Sequence, residues 1–473
     1  MVNEISAVTK QILEKITPKK EEYAKVEALS RELEQKIATA CQQEGVEAVV
    51  RVEGSIAKDT WLSENPDIDI FMRLPTSNPR KNLGDVGLKI AKKAAGNAKQ
   101  LERFAEHPYL QIFMDGYKVD IVPCYDSKPG EWQSATDRTP YHTDFIRARL
   151  GKQLRGDVRL LKKFMQGIGV YGAEIKVGGF SGYLCELLIM KYGSFEATLQ
   201  AFAQYNKRVV IDIEGFYVDT ENELQLLFPE PLVIVDPVDK GRNVASAVQH
   251  QKLYEFIGAS RALLEKPSEE FFYPPKLEVL STQALLNQLG SRGSSTLFLV
   301  IGELDAVPDV LWGQVYRSKR SLRTLLELND FKVLKDAVWS NEKTTSVFMF
   351  KLESQVLPNV KKHLGPPLER EAECVKYLAK YADNERVISG PYIEDGRWIV
   401  ELPRKTADAA ALLKEKLADG GKSAGVADLI ARAIQENLEV LVNGEVLEVY
   451  EGNVDFAVFL TDFLSGKPFW LKP

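Results

Sequence analysis

The stretch Asp67-Ile68-Asp69-Ile70-Phe71 constrains this chain more than any other, because carboxylates alternate there with large apolar side chains. A period of two belongs to a strand half buried in a core. It puts Asp67 and Asp69 on one face, roughly 7 Å apart, and turns Ile68 and Ile70 into a core. The run Val119-Asp120-Ile121-Val122 repeats the pattern and offers Asp120 from a second strand. Three carboxylates converging from adjacent strands repel one another unless cations neutralise them. Mg2+ suits that donor set, since it prefers oxygen ligands and completes its shell with waters and phosphates. Two such ions about 4 Å apart serve in-line phosphoryl-type transfer. In that arrangement Asp67 and Asp69 reach both ions, and Asp120 reaches the one that activates an acceptor hydroxyl. An isolated D-x-D is also the ordinary polar face of a strand. Here Gly54-Ser55 stands just upstream, where a glycine turn lets backbone N–H groups and a hydroxyl approach a phosphate, and Lys58 follows three residues later.

The surrounding pattern is α/β. Residues 3–16 read as a helix closed by Pro18. A longer helix follows, with Val26, Leu29, Leu33, Ile37 and Cys41 on one face and Gly45 as its stop. Residues 46–52 alternate as a strand, and 83–104 read as a helix. Strands over 109–114 and 118–122 are joined by Asp115-Gly116 as a hairpin. From 157 to 262 the pattern turns mostly helical. Val158, Leu161, Met165 and Ile168 form a stripe, Ser181 caps a second helix, and one strand lies near 232–235. Pro267, Pro274 and Pro275 mark a linker. Beyond it, strand 296–301, helix 309–328, strands 331–339 and 345–352, helix 369–382 and strand 397–402 follow the order βαββαβ of a ferredoxin-like sandwich. Gly420-Gly421 breaks the next helical stretch, and Asn443-Gly444 signals a type I′ hairpin.

With 473 residues, 45% of them hydrophobic and 27% charged, the chain can build two to four soluble domains. No apolar run approaches eighteen residues, so no membrane partner is expected, and the polar N-terminus is unlike a signal peptide. Four scattered cysteines and four scattered histidines speak for reduced thiols in the cytoplasm and against a zinc site. The net charge of −6 leaves nucleic acid open as a partner, since local basic patches suffice for phosphate contacts. One patch is Arg317, Lys319, Arg320 and Arg323 on the 309–328 helix, with Trp312 and Tyr316 close by for stacking on bases.

Taken together, Gly54-Ser55-Ile56-Ala57-Lys58-Asp59-Thr60-Trp61 and Pro66-Asp67-Ile68-Asp69-Ile70-Phe71 resemble the polymerase β-like nucleotidyltransferase superfamily. The finer resemblance is to archaeal, class I CCA-adding enzymes (tRNA nucleotidyltransferases). It is carried by His107-Pro108-Tyr109, Val119-Asp120-Ile121-Val122-Pro123-Cys124-Tyr125, Asp137-Arg138-Thr139-Pro140-Tyr141-His142, Arg159-Leu160-Leu161-Lys162 and Tyr171-Gly172-Ala173-Glu174. Further matches are Gly179-Phe180-Ser181-Gly182-Tyr183-Leu184-Cys185-Glu186, Asp236-Pro237-Val238-Asp239 and Arg242-Asn243-Val244-Ala245. The matches are dense over 50–250 and thinner afterwards.

The resemblance implies an α+β multidomain fold. A nucleotidyltransferase head with a small mixed sheet covers 1–150 and a mostly helical neck 151–265. A ferredoxin-like body covers 266–400, and an α+β tail at the tRNA elbow covers 401–473. It implies addition of C, C and A to the 3′ end of tRNA from CTP and ATP, with Mg2+ on Asp67, Asp69 and Asp120. It places the triphosphate on Gly54, Ser55 and Lys58, the sugar and phosphates on His142, Lys162 and Tyr171, and the base edge on Arg242. The family usually carries arginine where Lys58 stands and often glutamate where Asp67 stands. A homodimer is a candidate assembly. Two rival functions share the carboxylates or the shape: a poly(A) polymerase or oligoadenylate synthetase, and a non-catalytic RNA-binding protein.

Overall fold

The computed structural model describes residues 2–64, 66–104, 107–291 and 293–471. Two compact units divide the chain, one of residues 1–276 with 468–473 and the other of residues 277–467.

In the first unit, α1 (Val2–Ile16) precedes α2 (Lys20–Gln43), whose stripe Val26, Leu29, Leu33, Ile37 and Cys41 is buried. Then come β1 (Val49–Glu53), α3 (Gly54–Lys58), β2 (Asp67–Leu74), α4 (Arg80–Ala95), β3 (Lys99–Phe104), β4 (Pro108–Met114) and β5 (Tyr117–Tyr125). They form a sheet in the order β1-β2-β5-β4-β3, with β2 parallel to β5 and every other pair antiparallel. Ile68, Ile70, Val119 and Ile121 are fully buried in one core with Leu33 and Ile37 of α2 and Leu83 and Ile90 of α4. Each such side chain contributes roughly 1.5–3 kcal/mol, which fixes the strand register and so leaves the aspartates on the opposite face. Asp115 and Gly116 both have positive φ, as the β4–β5 turn requires.

The helix expected over 83–104 stops at Ala95. Gly96, at φ +57, ends it, and residues 99–104 return as edge strand β3 paired with β4. β3 is almost wholly exposed. Ladder hydrogen bonds rather than burial hold it, so no alternation betrays it in the sequence.

The unit continues with α5 (Thr139–Arg149), α6 (Arg155–Gly167), α7 (Gly182–Tyr192), α8 (Phe195–Ala203), β6 (Val209–Asp212), α9 (Glu221–Leu227), β7 (Leu232–Asp236), β8 (Asp239–Asn243) and α10 (His250–Glu265). Ser181 caps α7 by accepting from the Leu184 amide at 3.1 Å. The single strand expected near 232–235 is the centre of three, in the order β6-β7-β8. β8 reads Asp-Lys-Gly-Arg-Asn, and Asn243 secures it. The Asn243 side-chain oxygen accepts from the Ile234 and Ala245 amides and its nitrogen donates to the Leu232 carbonyl.

The second unit holds α11 (Thr282–Gly290), β9 (Ser295–Ile301), α12 (Pro308–Leu328), β10 (Val333–Ser340), β11 (Ser346–Leu352), β12 (Val360–Pro367), α13 (Glu371–Tyr381), β13 (Ser389–Glu394), β14 (Arg397–Pro403), α14 (Ala409–Leu417), α15 (Asp428–Glu436), β15 (Leu438–Val442), α16 (Leu447–Gly452) and α17 (Val454–Ser465). Its main sheet, β10-β11-β9-β15, is antiparallel throughout and has the ferredoxin-like order. The fourth strand, however, is β15 and not 397–402. That segment is β14, the middle of a separate sheet β12-β14-β13. Both are short apolar runs, and local pattern does not say which one finds β9. The hairpin expected at Asn443-Gly444 is also absent. β15 pairs back to β9, so no reversal is needed there. Asn443 instead accepts from the Thr296 amide at 2.7 Å and starts a short 3-10 turn into α16. Among the described residues, no helix is long and apolar enough to cross a membrane.

Candidate active site

In the parallel pair, Asp69 lies opposite Asp120, and Asp67 lies opposite Lys118. Both strands expose the same face there, since their alternate residues are the buried isoleucines and valines. Asp67 Oδ2 accepts from Lys118 Nζ at 2.9 Å, and Asp120 Oδ1 accepts from Gln111 Nε2 at 2.7 Å. Burial, then repulsion from Asp120 and Asp67, raises the Asp69 carboxyl from its usual range to about 7, against a partial offset from Lys58 and Lys118. Burial likewise raises Asp120. Among the described residues no three ligating side chains are gathered around one point, and Asp67 and Asp120 each turn an oxygen to a neighbouring donor instead. The donor set nevertheless fits a hard divalent cation. It is all carboxylate, on adjacent strands, and its mutual repulsion is what a cation relieves.

Gly54 presses on this group. Its φ is +63, and a Cβ placed there would lie 2.0 Å from Asp69 Oδ2. Gly54 and Ser55 open α3, so the amides there have no partner within the helix. Glu53, fully buried just before the turn, accepts from Arg51 Nε at 2.6 Å and Nη2 at 3.1 Å.

Lys58 is placed differently from an exposed phosphate contact. It is 7% exposed, and Nζ donates to Glu186 Oε2 at 2.6 Å beneath the ring of Tyr183. Lys162, 3% exposed, donates to the carbonyl and hydroxyl of Thr60, both at 3.0 Å, and stands 3.5 Å from Glu186. The Thr60 hydroxyl donates in turn to Glu186 at 2.5 Å. Burial alone would raise the Glu186 carboxyl, but Lys58 and Lys162 bring it below its usual range. Burial lowers Lys162, although Glu186 opposes the shift. Gly182 lies between Lys162 and the Tyr171 hydroxyl, and a Cβ there would come within 3.0 Å of that hydroxyl. Burial raises Tyr171 well above the usual phenol range.

His142 and Arg242 meet on one carboxylate. Asp236 Oδ2 accepts from His142 Nε2 at 2.9 Å and from Arg242 Nη1 at 2.7 Å. The His142 ring stacks on Tyr183 at 4.1 Å, which links this group to Lys58. All the residues expected to bind nucleotide therefore fall in one continuous region of the first unit. Glu186, Asp236 and Tyr183 stand inside the matching stretches, but the sequence assigns them no role. The usable signal for Glu186 was a lone carboxylate inside the apolar run Leu184–Met190.

The basic cluster lies in the second unit, on α12. Lys319 pairs with Asp336 at 2.5 Å, and Arg323 pairs with Asp336 at 2.6 Å and Glu327 at 2.9 Å. Arg317 and Arg320 are exposed, without an ion-pair partner among the described residues. Trp312 is buried and its indole N–H donates to Glu342 at 3.0 Å, so it packs in the core and is not offered to a base.

Comparison with known proteins gives three family matches along the chain. A nucleotidyltransferase domain matches residues 34–142, the second domain of tRNA nucleotidyltransferase matches 156–273, and the C-terminal domain of CCA-adding enzyme matches 292–443. The CCA-adding enzyme of Methanosarcina barkeri is 39% identical over 456 residues, covering 96% of this chain and 97% of that one. The CCA-adding enzyme of Halobacterium salinarum is 35% identical over 474 residues and covers 100% of both. Solved structures are more distant. A cytoplasmic RNA terminal U-transferase aligns with a TM-score of 0.45 and 14% identity over 57% of this chain and 98% of its own.

Proposed function

The chain belongs to the family of CCA-adding enzymes, tRNA nucleotidyltransferases, and from that membership we propose that it adds C, C and A in turn to the 3′ end of tRNA, using CTP and ATP and releasing pyrophosphate. One observation carries the chemical reading: Asp67, Asp69 and Asp120 share a face of β2 and β5, against the Gly54 turn. Bound there as a pair of ions, Mg2+ would supply charge that acidifies the acceptor hydroxyl and offsets the leaving pyrophosphate. The 3′ oxygen of the RNA forms a bond to the α-phosphorus, the α–β bridge bond breaks, and the hydroxyl proton passes to solvent. Gly54 and Ser55 hold the triphosphate with backbone amides and a hydroxyl. Lys58 and Lys162 add positive charge behind it, and His142 and Tyr171 contact the sugar. Arg242 offers its guanidinium to the Watson–Crick edge, where a wrong base leaves polar groups unpaired at roughly 1–3 kcal/mol each. The α12 cluster grips the acceptor arm through phosphates, in the cytoplasm where tRNA and both triphosphates occur.

The test is incorporation of labelled CTP, then ATP, into tRNA lacking its CCA end. Asp69→Asn and Asp120→Asn should lose at least about 100-fold in kcat while melting like the parent. Arg317→Ala with Arg320→Ala should raise KM for tRNA and reduce its salt slope by about two. Lys319 and Arg323, already paired, should matter less. Retained activity in either aspartate variant would refute the carboxylate mechanism. Long homopolymers from ATP alone would point to a poly(A)-type enzyme.

A further inference from the structure

Asp236 ends β7 inside the first unit, fully buried, and its two oxygens serve four donors. Oδ2 takes His142 Nε2 and Arg242 Nη1, as described above. Oδ1 takes the Val238 amide at 3.1 Å and the Tyr183 hydroxyl at 3.3 Å. Burial would raise this carboxyl, yet the His142 hydrogen bond and the Arg242 charge bring it below its usual range. A carboxylate accepts only, so His142 must donate from Nε2, which leaves Nδ1 of the neutral ring as an acceptor. Burial favours that neutral form. Arg242 is 38% exposed. One edge of its guanidinium is therefore fixed inside the protein while the rest faces outward. Its backbone is fixed too, because the adjacent Asn243 ties β8 to β7 through two hydrogen bonds, to Ile234 and Leu232.

We infer that Asp236 is the positioning residue for nucleotide selection: by holding Arg242 and His142 on one oxygen, it sets base reading and sugar reading in a single frame. The inference rests on the proposal that Arg242 meets the base edge and His142 the sugar. A planar guanidinium carries specificity only when its orientation is fixed, since a freely turning fork can adapt to a wrong base. The shared oxygen also means that neither group can turn without disturbing the other.

The experiment measures kcat/KM for CTP and for UTP on tRNA lacking CCA, and for CTP against its 2′-deoxy form. The proteins are the parent, Asp236→Asn, Arg242→Ala and the double variant. Asp236→Asn matches the shape of the carboxylate but presents a donor where His142 or Arg242 also donates. It should lower the CTP over UTP ratio at least tenfold and also relax discrimination against the deoxy sugar. The double variant should be no worse in base selection than Arg242→Ala alone, because Asp236 acts on the base through Arg242. Asp239→Asn is the control. It removes an equal charge from the same hairpin, where Asp239 pairs with Arg138 at 2.7 Å, and should keep both ratios. Asp236→Ser, which keeps an acceptor without charge, replaces Asp236→Asn if that variant does not melt cooperatively. Unchanged ratios in the Asp236 variants, additive losses in the double variant, or an equal loss in Asp239→Asn would each overturn the inference. Unchanged base selection in Arg242→Ala would overturn the underlying reading of Arg242 instead.

Discussion

Gly54 shows how closely one residue can be specified. Alanine there meets two penalties, a left-handed backbone costing roughly 1–2 kcal/mol and a Cβ 2.0 Å from Asp69 Oδ2. The second penalty is the functional one, since the carboxylate must move. Displacing a reacting group by about 1 Å is enough for a 100-fold loss. Gly54→Ala should therefore lose about 100-fold in CTP incorporation while its melting temperature falls only slightly, as read by incorporation kinetics and a thermal melt of the same sample. The three aspartates were legible in the sequence because alternation on a strand fixes which way a side chain points. The pairings of Glu186 and Asp236 were not. Their partners lie 128 residues away at Lys58 and 94 residues away at His142, and no local period reports such a pairing. The same distance explains why Lys58 reads as a free phosphate contact in the sequence and stands on a buried glutamate in the fold.

Among elements, α2 and α4 show what a terminus contributes. Glu44, the C-cap residue of α2, takes Lys89 Nζ at 2.5 Å and Lys93 Nζ at 2.8 Å, both from α4. Those hydrogen bonds lower its carboxyl from 4.5 to about 2. The folded chain thus keeps Glu44 ionised in acid where the unfolded chain protonates it. Its contribution is complete above about pH 4.5 and is lost as pH falls through about 2. Glu44→Gln should melt below the parent at neutral pH, and the gap should narrow steadily between those two values. Melting curves over a pH series check this, and added salt should shrink the gap at pH 7 because the lysines are exposed. A gap that widened in acid would contradict the assignment. Helix faces such as that of α2 were legible because burial repeats at 3.6 residues. Edge strand β3 and the polar hairpin strand β8 were not, since hydrogen bonds and a single asparagine hold them.

Across the second unit, the ferredoxin-like sheet is closed by a strand from far along the chain. β9 lies between β11 and β15, and the register of the last pair runs from Leu438 opposite Ile301 to Val442 opposite Leu297. Between β11 and α14 the chain makes a detour into β12, α13, β13 and β14, whose apolar centre of Tyr377, Tyr381 and Val400 is separate from the main core. The two ends of the detour meet. Val356 bridges Asp408, the Leu357 amide donates to Ala407 at 2.8 Å, and the Arg404 amide donates to Asn359 at 2.6 Å. The order of elements was thus readable in the sequence while the membership of each sheet was not, because an inserted sheet carries the same local pattern as the one it interrupts. The geometry predicts an asymmetry between two deletions. Replacing residues 359–404 with a short Gly-Ser bridge should leave the four-stranded sheet folded, since the remaining ends are already paired. Ending the chain at Asn437 removes β15 together with α16 and α17, which pack on Phe298 of β9, so it strips both a hydrogen-bonded neighbour and a covering layer from β9 and leaves an unpaired apolar edge prone to association. Amide hydrogen exchange at Leu299 in both variants would measure this directly. Protection should persist in the first and collapse in the second, and collapse in the first would mean that the inserted sheet is needed to complete the fold.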